Sequence, residues 1–181
     1  MNGKEIIISE NKLFSFVLIY TLILLLLFVP FIILFNYQYF ITGFKNALKD
    51  LIFWIVPIVL FHEGFHALFL GLLSGCKFKH ISFGFNKQYL SPYTHFSLPL
   101  KRNYFIAGCL APFVLMGIVP LVISYIIEQS YWLTLGIINL WAAAGDVIVA
   151  IKLFSVDSRV LILDHPDTLG FIVIQNYPSK D

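Results

Sequence analysis

Charge is scarce in this chain: Lys, Arg, Asp and Glu together make up 12% of its 181 residues, about half the roughly 25% of an average soluble domain. That scarcity excludes an ordinary soluble surface, and a mean hydropathy of +0.86 completes a membrane-protein composition. Cysteine is scarce too. Cys76 and Cys109 show no CxxC or other ligand spacing, so they form no disulfide framework and no cysteine-built metal centre, and they read as buried or interfacial thiols. Neither an internal repeat nor a low-complexity tract is present.

What the chain has instead is long apolar blocks. Residues 14–35, 51–73, 104–127 and 131–154 each hold at least 22 residues, enough to cross about 30 Å of hydrocarbon at about 1.5 Å per residue. The first block is too long for a signal-peptide core and no small-residue cleavage site follows it, so it reads as a retained anchor. The expected fold is an all-α membrane protein, one integral membrane domain of four transmembrane helices over residues 1–181.

Four spans put the N-terminus, the loop 74–103 and the tail 155–181 on one side. Ten of the 12 basic residues lie there, at Lys4, Lys12, Lys77, Lys79, Lys87, Lys101, Arg102, Lys152, Arg159 and Lys180, against Lys45 and Lys49 on the other. By the positive-inside rule both termini are expected to be cytoplasmic. The loop alternates polar and apolar residues over 77–85, turns at Asn86-Lys87-Gln88 and continues in a β-prone run to Pro99, which predicts a cytoplasmic β-hairpin between helices 2 and 3. The tail, with VLIL and FIVI on either side of DHPDTLG, predicts two short strands around a turn.

Against this background "VLFHEGFHALFL" is anomalous. His62-Glu63-Gly64-Phe65-His66 matches HExxH, in which two histidines one helical turn apart project from one face and can bind one zinc ion. Glu63 is then placed to deprotonate a zinc-bound water as general base. An ionisable residue at the centre of a span costs about 2.5–3.5 kcal/mol on insertion scales, which makes it a functional candidate by default.

A catalytic zinc usually has three protein ligands and an open position. Apart from Glu63, Asp146 is the one carboxylate within the four blocks. Counted from the cytoplasmic ends of their spans, His62, His66 and Asp146 lie about 16, 10 and 12 Å deep at about 1.5 Å per residue. The small residues Ala142, Ala143, Ala144 and Gly145 would let the two helices approach closely. Other candidates for the third ligand, His80, His95, Asp164, His165 and Asp167, lie outside the blocks and would need a re-entrant loop. Asn139, seven residues before Asp146, could hydrogen-bond a substrate backbone or a ligand, or could join two helices. Gly71 and Gly75 form a GxxxG read as helix packing, and Pro112 and Pro120 are tolerated interruptions of the third span that would open a path for water.

On "FHEGFHALFLGLLSG", "LAPF", "INLWAAAGD" and "DHPDTLGF", the chain resembles a bacterial family of small membrane proteins known as "putative zincin peptidases", distantly similar to site-2 proteases, over most of 51–174. The resemblance implies zinc ligands His62, His66 and Asp146, with Glu63 as general base. It departs from the site-2 protease pattern where "LWAAA" follows Asn139 and a glycine precedes Asp146, which weakens the carry-over of a substrate-positioning role to Asn139 more than that of the metal role to Asp146. The expected function is an intramembrane zinc metalloprotease acting on membrane-protein or peptide substrates. Sites of two histidines and one aspartate accept other divalent metals as well as zinc. A non-catalytic metal-binding or scaffold protein that regulates a partner is the rival reading, and a metal transporter a third. With no PDZ-like segment in the chain, substrate choice is expected to rest on the spans and the hairpin. No nucleic acid is expected as a partner, and a homo-oligomer is compatible with the sequence.

Overall fold

The computed structural model describes residues 3–35, 37–75, 77–86 and 91–174. It is mostly helical, with two small sheets at one end of the helices. A short strand β1 (Gly3–Ile7) leads into α1 (Glu10–Phe35) and α2 (Tyr37–Ser74). Residues 37–50, which hydropathy leaves between two spans, continue α2, whose 38 residues reach about 57 Å at 1.5 Å each, well beyond the hydrocarbon of a bilayer. The helix stops where Gly75 takes φ +66°, a left-handed conformation that glycine adopts without steric cost. Gly71 lies under the ring of Phe78, so the GxxxG serves a helix end and a turn rather than a helix pair.

The third apolar block forms α3 (Arg102–Pro112), a π-helical stretch Phe113–Ile118 and α4 (Val119–Ile127). The fourth is not one straight helix. It divides into α5 (Ser130–Ala142) and α6 (Ala144–Phe154), bent by 54°. Among the described residues, three helices are long and apolar enough to cross a membrane, and the bent pair makes a fourth if it counts as one span. α1 is the outlying helix, its Phe14, Leu18, Leu22 and Leu26 exposed. It is tied to the bend by Tyr20 Oη–H donating to the Leu140 carbonyl at 2.7 Å and by the Trp141 indole N–H donating to Thr21 Oγ1 at 2.9 Å.

After α2 the expected first strand begins late: Lys77–His80 is a 3-10 turn, and the hairpin pairs β2 (Ile81–Asn86) with β3 (Ser91–Phe96), Ile81 opposite Phe96 and Asn86 opposite Ser91. Cys76, Lys87 and Gln88, and so most of the expected turn, lie outside the described residues. β4 (Leu100–Lys101), β5 (Leu161–Asp164) and β6 (Gly170–Ile174) join β1 in an antiparallel sheet of order β1-β6-β5-β4. The tail is therefore half of a four-stranded sheet, and its first and last strands bring the two ends of the described chain side by side. Fully buried Phe96, Leu153, Ile162 and Phe171 form a core with Leu70, Phe105 and Ile148. That core fastens the sheet to the ends of α2, α3 and α6.

Candidate metal centre

His62 and His66 stand one turn apart on α2, and Asp146 in the first turn of α6 faces them. His62 Nε2 lies 3.2 Å from Asp146 Oδ2, His66 Nε2 lies 3.3 Å from Asp146 Oδ1, and the two Nε2 atoms are 3.3 Å apart. Ligand atoms bound at 2.0–2.2 Å around a tetrahedral zinc are separated by about 3.4 Å. Each separation is close to that edge length, although the two histidines face different oxygens of the carboxylate, and one ligand atom from each of the three residues lies within 4.8 Å of the others. Among the described residues, this is the one group of three His, Cys, Asp or Glu side chains close enough to hold a metal ion.

The backbone around the group explains how it is held. His66 Nδ1 is 2.9 Å from the Gly108 carbonyl. A carbonyl only accepts, so Nδ1 carries a proton, and this fixes the ring with Nε2, the nitrogen that a metal ion would use, facing Asp146 and His62. That carbonyl is free because the residue four places on is Pro112, which has no N–H to close the helical bond. α3 also comes close enough for this contact because Gly108 has no side chain: a Cβ there would stand 2.4 Å from Leu70 Cδ2. On the other side, the break at Ala143, which is fully buried, creates a new helix N-terminus at Ala144. Asp146 sits in its first turn, where the helix dipole favours an anion.

Glu63 points to the hairpin. The Thr94 hydroxyl on β3 lies 2.8 Å from Glu63 Oε2 and 3.0 Å from the Glu63 carbonyl, so it donates to one or the other. Thr94 is absent from the sequence-based candidates because nothing local in "SPYTHF" distinguishes it from any β-prone threonine. A cavity of about 740 Å³ opens over these groups, bounded by His62, Glu63, Asp146, Asn139, Thr94 and Asp164. Asn139 is buried at 4% exposure. Its amide N–H donates to the Leu135 carbonyl at 2.8 Å, while its Oδ1 has no partner among the described residues. The bend falls between Asn139 and Asp146, so they do not share one straight helix face, yet both line the cavity.

The remaining ligand candidates are placed elsewhere. His95 Nδ1 lies 3.0 Å from Asp164 Oδ2, and this hydrogen bond to Asp164 pushes the His95 pKa up. His165 Nδ1 accepts the backbone N–H groups of Asp167 and Thr168 at 3.2 and 3.1 Å, closing its own turn. The His80 carbonyl accepts the Ser97 N–H at 3.0 Å.

Apolar helices of spanning length around two histidines and a carboxylate that could hold a metal ion point to a membrane protein with a candidate metal site. The chain belongs to the family described as "putative zincin peptidase", whose model matches residues 53–161. It is also 30% identical over 126 residues to an uncharacterized 24.7 kDa protein of Pyrococcus woesei, an alignment covering 67% of this chain and 54% of that one. The chain thus spans about half the length of that relative. No solved structure matches it.

Proposed function

We propose that the chain is an intramembrane zinc metalloprotease. The observation that carries this reading is the set of 3.2–3.3 Å separations among His62 Nε2, His66 Nε2 and the Asp146 carboxylate, next in sequence to Glu63. His62, His66 and Asp146 would hold the ion, and zinc bound there polarises a scissile carbonyl and lowers the pKa of a water. Glu63 takes the proton of the attacking water and returns it to the leaving amine. Thr94 holds the Glu63 carboxylate in place. Asn139 borders the cavity, and its Oδ1, without a partner among the described residues, turns to accept a substrate backbone N–H, which an unwound peptide offers and a helical one does not.

Ser91, Pro92, Tyr93 and Thr94 border the cavity, so an extended substrate can lie along the hairpin by strand addition. Proline at successive edge positions of β3 slows cleavage in this reading, and unimpaired cleavage would remove strand addition from it. Substrates are membrane proteins or membrane-associated peptides. The pairing of β1 with β6 and of β4 with β5 supports four spans with both termini on one side, which the basic residues assign to the cytoplasm.

The deciding variant is Glu63→Gln, assayed on purified protein for both zinc and proteolysis. A protease keeps its zinc and loses at least about a hundredfold in turnover, in line with the worth of a positioned general base. Unchanged cellular function in that variant would instead favour a non-catalytic metal-binding protein.

A further inference from the structure

The tail sequence Asp164-His165-Pro166-Asp167 has no part in the proteolytic reading above, yet all four residues border the same cavity. Asp164 is the last residue of β5 and stands opposite Phe171 of β6, so it is fixed in the four-stranded sheet. Its carboxylate reaches across to the other sheet. Asp164 Oδ2 lies 3.0 Å from His95 Nδ1 and accepts the Phe96 N–H at 3.3 Å. These donors are the last two residues of β3, and the residue before them is Thr94, whose hydroxyl lies 2.8 Å from Glu63 Oε2.

The hairpin has a reason to need such a tie. β2 and β3 pair with each other in a sheet of their own, a two-stranded hairpin is marginally stable by itself, and besides its packing on α2 and the burial of Phe96 no third strand among the described residues holds it. We infer that Asp164 is a positioning residue for Glu63: it clasps the end of β3 to the four-stranded sheet and so keeps Thr94 within hydrogen-bond reach of the Glu63 carboxylate. His165, accepting two backbone N–H groups of the following turn, shapes the chain that leaves the clasp. The tail motif thereby gains a role from about a hundred residues away in sequence. The inference rests on the protease reading for its catalytic half and on geometry alone for its structural half.

The test uses the detergent-purified full chain with zinc, β-casein as an unstructured probe substrate, and the variants Asp164→Ala, Asp164→Asn, Thr94→Val and the Asp164→Ala/Thr94→Val pair. Asp164→Ala keeps its zinc, speeds amide exchange over residues 91–96 by about tenfold or more, as loss of hydrogen bonds to a charged acceptor implies, and lowers kcat about as much with KM nearly unchanged. Asp164→Asn retains an acceptor and falls between Asp164→Ala and the parent in both readouts, which guards against a simple folding failure of the alanine variant. Thr94→Val lowers kcat without speeding exchange, and the pair is no slower than its slower member, because both changes cut one connection. Unchanged exchange in Asp164→Ala, or kcat losses that multiply in the pair, would overturn the inference. Should the parent leave casein uncut, the protease reading fails in that assay, and the exchange comparison still decides whether the clasp holds the hairpin.

Discussion

At the scale of single residues, two histidines and a carboxylate face one another because neighbouring residues give up ordinary bonds. Pro112 withholds the N–H that would occupy the Gly108 carbonyl, and His66 Nδ1 takes that carbonyl at 2.9 Å. Pro112→Ala restores the competitor. Zinc affinity, measured by competition with a chelator, is then expected to fall by about 10–100-fold, the usual range for a lost outer-shell partner of a metal-bound histidine. An unchanged affinity would mean that the Gly108 carbonyl does not orient the ring. Asn139 offers a second test. Its Oδ1 is buried without a partner among the described residues, so Asn139→Ala removes a costly group as well as an amide donor and is expected to change the melting temperature little. Cleavage is expected to drop by about tenfold, with zinc content intact.

At the scale of elements, the hairpin and the broken fourth block decide how the site is closed. His95 is attached to Asp164, with Asp167 adding to the field, and its pKa is raised in the folded protein. A histidine whose pKa is raised on folding contributes stability fully present below its unfolded value of about 6.5 and lost as pH climbs through the higher folded value. The difference in melting temperature between the parent and His95→Ala is therefore expected to be largest near pH 6 and to shrink toward pH 9. A difference that stays constant over that range would show that the charged form of His95 contributes nothing. Because the pair is partly open to solvent, the shift is expected to be modest.

What the sequence reveals at this level follows from how local each signal is. The one-turn spacing of His62 and His66 is visible within five residues, and the similar depth of Asp146 follows from counting along apolar blocks. The bend at Ala143 is less visible, since the alanines of "AAAG" favour a continuous helix and the one glycine, Gly145, falls after the break. Depth counted along a straight fourth span thus singles out three side chains that do lie together, in spite of a helix bent by 54°. The Thr94 and Asp164 contacts join residues 31 and 68 or more positions apart to their partners, and no periodicity encodes them. β1 is hidden for the same reason: "GKEII" becomes a strand only because β6 offers it an edge.

At the scale of the whole molecule, the four-stranded sheet gathers the first strand, β4 and the tail at one end, so the helices between them must leave and return in pairs. Cysteines introduced at Glu5 and Asp157 are expected to resist a membrane-impermeant maleimide in intact cells, and one at Gln129, in the turn between α4 and α5, to react, with Cys76 and Cys109 replaced by serine. Equal labelling at Gln129 and Glu5 would refute the paired crossings. The exposed apolar face of α1 then belongs to lipid, and the cavity over Asp146 lies between the helices and the two sheets.

The catalytic reading stands on a metal centre formed by His62, His66 and Asp146. Its most direct test is the zinc content of the detergent-purified protein, by mass spectrometry, for the parent, His62→Ala, Asp146→Ala and Asp164→Ala. About one zinc per chain in the parent and in Asp164→Ala, and little in the other two, is the expected result. A parent that remains empty under metal-replete conditions would contradict the account and leave the three side chains as polar links between helices.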